Sequence, residues 1–129
     1  MISTSSSIES INMKIVFAGT PTNAAETLRQ LANNGHDIVA VLTREDAVSG
    51  RNRELKQSPV ADTAEALGIP VVKANRISEQ LIDDLAKLKA DIGVVVAYGL
   101  IMPQRLLEVP RLGWYNLHYS LLPKFRGAA

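Results

Sequence analysis

Asn116, His118 and Ser120 occupy alternate positions in the stretch "NLHYSLLPKFRGAA", residues 116–129. A period of two places all three side chains on one face of a strand. An imidazole near neutral pH can give or take a proton, and a neighbouring carboxamide can donate a hydrogen bond to a developing oxyanion. Together they suit addition to a carbonyl or formyl carbon. The same residues also suit a quieter role, a partly buried His satisfied by backbone and an Asn that forms a turn. Three aligned polar residues at the carboxyl end of a strand balance the two readings.

The elements that must position them alternate between short apolar runs and amphipathic stretches. "KIVFAG" (14–19) reads as a buried strand ended by Gly. Asn23 then caps a helix with Glu26 closing a capping box, Ala24, Leu28, Leu31 and Ala32 form its apolar face, and Gly35 ends it. "DIVAVLT" (37–43) is a second strand, and Arg44 to Gln57 a polar loop. Ser58-Pro59 opens a helix that Gly68 stops. "IPVVKA" (69–74) is a third strand, followed by a helix from Ser78 with Leu81, Ile82, Leu85 and Leu88 on its face. "DIGVVVAYG" (91–99) is a central strand, residues 104–108 a short helical turn, and "WYNLHYS" (114–120) a fifth strand. This order implies an α/β fold, a doubly wound parallel sheet with right-handed crossovers. Ligands of such sheets bind beyond the carboxyl ends of the strands, which marks residues 19–21, 97–100 and 118–120.

At 129 residues the chain is one domain, long enough for a core and short for a complete enzyme. Its hydrophobic share of 47%, with 21% charged, is that of a soluble globular chain. A formal net charge of +1 gives no overall field that would draw nucleic acid or membrane. The absence of Cys excludes disulfides, thiolate metal sites and Cys nucleophiles, and fits a reducing cytoplasm. Residues 1–12, Ser-rich with Glu9 their one charge, read as a disordered extension before a second possible start at Met13. No apolar run approaches the ~20 residues that cross a bilayer.

Dinucleotide binding would need G-x-G-x-x-G after the first strand, but Gly19-Thr20-Pro21 puts Pro at the second Gly and removes an N–H from the cradle. Glu45, near the end of the second strand, is a weak mimic of a ribose-binding acid, and there is no P-loop.

"NLHYSLLPKFRGAA" resembles the N-x-H-x-S-L-L-P-x-x-R-G-A-A signature of the methionyl-tRNA formyltransferase family, within the folate-dependent formyltransferases. "MKIVFAGTP" (13–21), "SPV" (58–60), "VVVAYGLIMP" (94–103) and "VPRLGWYNLH" (109–118) resemble it in order and spacing, over 13–129. The resemblance implies a Rossmann-like N-terminal domain, 10-formyltetrahydrofolate as co-substrate, no metal, and methionyl initiator tRNA as partner. Asn116 would bind the formyl oxygen and its oxyanion, and His118 would stabilise that charge and move protons. Ser120, Leu121, Leu122 and Pro123 would line the folate site, and backbone at Leu100, Ile101 and Met102 would receive the pterin. Packing for the two leucines, and a strand-ending turn at Tyr98-Gly99, are the plainer alternatives.

The family's catalytic Asp lies downstream of the His, and its second domain is a small β-barrel. Residues 13–129 are therefore expected to be a truncated catalytic domain, inactive alone and monomeric when complete. The family's loop after the second strand reads like Q-P-D-R-P-A-G-R-G-K-K-L, with an Arg that enters the tRNA acceptor arm. Here it is "REDAVSGRNREL", with Ala47 at that place and a net charge of +1 over 44–57. Contact of Arg51, Arg53 and Lys56 with tRNA phosphate and a merely solvated loop stand side by side. Another folate-dependent formyltransferase with a small amine acceptor, and a non-catalytic nucleotide-binding module, are the competing functions.

Overall fold

In the computed structural model the described residues are 13–50 and 53–117. β1 (Lys14–Gly19), β2 (Asp37–Thr43), β5 (Val71–Lys73), β6 (Ile92–Val96) and β7 (Trp114–Asn116) form one parallel sheet in the order β5-β2-β1-β6-β7. Helices α1 (Thr22–Asn33), α2 (Pro59–Leu67), α3 (Glu79–Ala86) and α4 (Gln104–Leu107) supply the crossovers. The expected α/β doubly wound sheet is the fold observed.

Every residue of β1 from Ile15 to Gly19 is buried, because helices cover both faces of the strand. On one face Ile15, Phe17, Val41, Val94 and Val96 pack against Ala24 and Leu28 of α1 and Val60 and Ala64 of α2. On the other Val16, Ala18, Ala40 and Leu42 pack against Ile82 and Leu85 of α3, Leu106 of α4, and Tyr98. Fully burying one such large apolar side chain stabilises the fold by about 1.5–3 kcal/mol. A bulge shifts the partner of β1 from Ile38 opposite Ile15 to Ala40 opposite Val16. It lets Ile38 and Val41, three apart, share one face while Ala40 and Leu42 take the other.

Ser58 caps α2 by accepting from Ala61 N at 3.0 Å, Pro59 stands at its start, and Gly68 ends it with φ 73°. Ser78 caps α3 by accepting from Leu81 N at 3.1 Å. Gly35, at φ 87°, follows the end of α1.

Four local expectations are corrected. Asn23 does not cap α1: the helix starts at Thr22, Pro21 is its N-cap without a side-chain bond, and Pro21 O takes the first amides, Ala24 N and Ala25 N. Glu26 instead pairs with Arg29 at 2.8 Å. The span Arg44–Gln57 is not a plain loop but contains an antiparallel hairpin, β3 (Ala47–Ser49) with β4 (Glu54–Lys56). Leu88 lies beyond the end of α3 and is exposed. Strands β5 and β6 are shorter than the apolar runs, β6 because Ala97 turns left-handed at φ 50°. β7 is described to Asn116, and the expected continuation of this strand through Ser120 extends outside the described residues.

Candidate active site at the carboxyl edge of the sheet

The strand order reverses between β1 and β6, and there the exits of the two strands meet. A Cβ on Gly19 would stand 2.7 Å from Val96 O and 2.8 Å from the Ala24 Cβ, so only Gly lets the β1 exit close onto β6. Thr20 Oγ1 donates to Tyr98 O at 2.9 Å, and Thr20 O accepts from Val60 N at 3.4 Å. The loop after β1 is thereby tied to the turn after β6 and to the start of α2.

That turn has Ala97 at φ 50° and Gly99 at φ 94°, with Tyr98 between them. The two left-handed residues send the Tyr98 ring back into the core, where it is 2% exposed and its hydroxyl donates to Ala74 O at 3.2 Å. Burial pushes the phenol up to about 12, against a smaller opposing pull from the Arg44 charge. At neutral pH Tyr98 is thus a protonated donor that fixes the turn, not an acid–base group. Past it, Leu100 and Met102 are half-buried against the second core cluster, while Ile101 is 91% exposed. The loop is anchored at both ends and presents an apolar side chain between them.

Asn116 is placed through Trp114. The indole lies over Gly93, where a Cβ would come within 2.4 Å of the ring, and its Nε1 donates to Leu106 O at 3.0 Å. With Trp114 opposite Gly93, Asn116 falls opposite Val95 near the carboxyl end of β6. Leu117 N continues the ladder to Val95 O at 3.0 Å. The Asn116 side chain is exposed at this edge. His118, Ser120, Leu121, Leu122 and Pro123 lie outside the described residues, as does Arg51. Arg53 and Lys56 are exposed on and beside the hairpin.

The sequence reading missed a cleft of about 580 Å³ beside β1 and β2, lined by Thr20, Arg44, Lys56, Ser58 and Asn75 among others. Ser58 also shares a 2.7 Å hydroxyl hydrogen bond with Thr43, both buried, which ties the exit of β2 to the start of α2. "SPV" carried a signal for this, since a capping Ser before Pro fixes a helix N-terminus at the strand edge. Arg44, read only as a loop charge, donates from Nε to Asn75 Oδ1 at 2.8 Å and from Nη1 to Gly99 O at 3.3 Å. Asp91 sits at the opposite end of the sheet, accepting from Lys14 N at 2.8 Å and Arg111 Nε at 2.9 Å. These bonds, Lys14 N first, hold its carboxyl below the usual range.

A family model for formyl transferase matches residues 13–129. The chain belongs to the formyl transferase family. Among curated relatives, methionyl-tRNA formyltransferase from Leifsonia xyli subsp. xyli is 53% identical over 117 residues, which is 91% of this chain and 38% of that protein. The enzyme of the same name from Cutibacterium acnes is 53% identical over 119 residues, with the same coverage. This formyl transferase chain thus spans 38% of the length of those relatives. Among solved structures, glycinamide ribonucleotide transformylase 1 from Geobacillus kaustophilus superposes with a TM-score of 0.62 at 15% identity, covering 90% of this chain and 63% of that one. At that identity the likeness speaks for the fold. Among the described residues no helix is long and apolar enough to cross a membrane.

Proposed function

We propose that residues 13–129 form part of a catalytic domain that moves a formyl group from 10-formyltetrahydrofolate to the amino group of methionyl initiator tRNA in the cytoplasm. The observation that carries this is 53% identity over 117 residues to a protein named for that reaction. The neutral methionyl amine attacks the formyl carbon and forms the new C–N bond. The Asn116 carboxamide, open at the sheet edge, donates to the oxyanion, and His118 stabilises the same charge and relays protons. As the intermediate collapses the bond to N10 of the folate breaks, the attacking nitrogen gives up its proton, and N10 gains one.

Among the described residues no backbone hydrogen bond engages Leu100, Ile101 or Met102, so their amides and carbonyls suit the polar edge of a pterin. Ser120, Leu121, Leu122 and Pro123 complete that wall in this reading. Arg53 and Lys56, with Arg51, face the phosphates of the acceptor arm. In this reading the family's catalytic Asp, downstream of the His in its motif, completes the site.

The test is folate-dependent formylation of methionyl initiator tRNA by the intact protein, with glycinamide ribonucleotide and amino-sugar nucleotides as rival acceptors. Transfer to a small amine and not to the tRNA would replace this reading with the second formyltransferase class. A polypeptide of only these 129 residues is expected to show no turnover, and enzyme-dependent turnover by it would mean that Asn116 and His118 suffice.

A further inference from the structure

We infer that Arg44 and Asn75 are positioning residues that clamp the turn after β6 and thereby set the geometry of residues 99–102 toward the folate. The folate half of this rests on the proposed function, whereas the clamp rests on geometry alone. Left-handed backbone at a non-Gly residue persists only where its surroundings over-determine it, and Ala97 at φ 50° is such a residue. The turn has two inner ties, from Thr20 Oγ1 to Tyr98 O and from Tyr98 Oη to Ala74 O. Neither reaches Gly99, the residue from which the loop departs.

Arg44 supplies that reach. Its guanidinium spans from Asn75 Oδ1 at 2.8 Å to Gly99 O at 3.3 Å. The same Oδ1 accepts from Glu45 N at 3.0 Å, so Asn75 holds both the side chain and the adjacent backbone of the β2 exit. Three strand exits, those of β2, β5 and β6, are joined by this pair of side chains. The fit at Gly99 is close: at φ 94° a Cβ there would come within 3.1 Å of Arg44 Nη1. A planar fork with fixed donors suits two acceptors at once, which the single ammonium of Lys does not. Arg44 also lines the cleft beside β1 and β2, so one side chain forms the wall of the cleft and the brace of the loop.

Arg44→Met in the intact protein is the test. Amide order parameters of residues 99–102 from NMR relaxation are expected to fall from the rigid range, about 0.85, to below about 0.6, while those of β1 and β2 stay rigid. KM for 10-formyltetrahydrofolate is expected to rise about tenfold, with kcat and KM for the tRNA within about twofold, since the loop contributes to binding and not to the reacting atoms. Arg44→Lys should fall between the two. Asn75→Ala should reproduce the split, and Asn75→Asp, which keeps an oxygen for both donors, should restore it. Unchanged order parameters at 99–102 would overturn the clamp. A raised KM for tRNA with a flatter salt dependence and an unmoved folate KM would overturn it too, and make Arg44 a phosphate-binding residue. If the wild-type protein does not use 10-formyltetrahydrofolate, the proposed function and the folate half both fall, and the order parameters still decide the clamp.

Discussion

The turn after β6 and the β3–β4 hairpin flank the same edge of the sheet and are built in opposite ways. The turn folds inward: Tyr98 is buried in the core and bonded to Ala74, and Thr20 and Arg44 hold the backbone around it. The hairpin projects outward, with its one apolar cross-strand pair, Val48 at 49% exposure and Leu55 at 68%, left on the surface. An isolated two-stranded hairpin is marginal by itself. Its conformation leans on local pairing and on a 2.7 Å ion pair from Asp46 to Lys73. A site that must stabilise a charge at one point needs the first kind of support, because small displacements weaken an oxyanion hydrogen bond. A surface that meets a polyanion through long flexible cations does not.

The sharpest break in the comparison is at Asn116. Asn116→Ala in the intact enzyme should slow formyl transfer by about 10²–10³, the usual cost of one oxyanion donor. Its denaturation midpoint should stay in place, because the side chain is exposed. Turnover near the wild-type rate would remove Asn116 from the chemistry.

Gly93→Val tests the support behind it. A Cβ there would press into the Trp114 ring at 2.4 Å, so β7 must shift from β6 or the indole must leave Leu106 O. Overpacking of this kind costs about 1–3 kcal/mol, read as a lower urea midpoint, with activity falling as Asn116 moves. Ala47→Val on the exposed hairpin should leave both readings where they are.

Tyr98→Phe removes one hydrogen bond from the turn and should cost about 1 kcal/mol at neutral pH. The alkaline limb gives a second reading. The folded pKa, about 12, lies above the ordinary value of 10.0, so the folded state favours the protonated phenol. Its contribution is complete below pH 10 and is lost as pH rises through 12. Wild-type stability should therefore fall across that window more steeply than that of Tyr98→Phe, checked by urea midpoints from about pH 9 to 12. Parallel curves would mean that the phenol is not the group being titrated.

The same contrast explains what was legible in the sequence. The strands through Phe17, Val41 and Val94 were readable because continuous apolar runs ended by Gly or Thr admit few other placements in an α/β pattern. Ser58-Pro59 and Ser78 announced their helices for a local reason, a side-chain cap. The hairpin was not readable as strands, since β3 and β4 have three residues each and no face to bury. Its one signal was Val48 and Leu55 on either side of Gly50, which has φ 74°. Asn23 misled because Pro21 fixes the start of α1 two residues earlier, through the bond network of the β1 exit. Arg44 was invisible as a brace because its partners, Asn75 and Gly99, are 31 and 55 residues away.

The smallest effect is expected where the hairpin is altered. Arg53→Gln with Lys56→Gln removes two exposed cations, and folding stability should change by less than about 0.5 kcal/mol. The change should appear in tRNA binding alone. Each cation that no longer meets a phosphate lowers the salt slope of log K by roughly 0.7–0.9, so a fall of roughly 1.4–1.8 would mean that both cations meet the backbone, and about half of that would mean that one does. Folate affinity should not move, because neither residue belongs to the turn after β6 or the strand that carries Asn116. An unchanged slope would return the hairpin to a solvated surface. A drop in the urea midpoint would show that the two regions share more support than their burial implies, and the contrast between them would fail on the side of the hairpin.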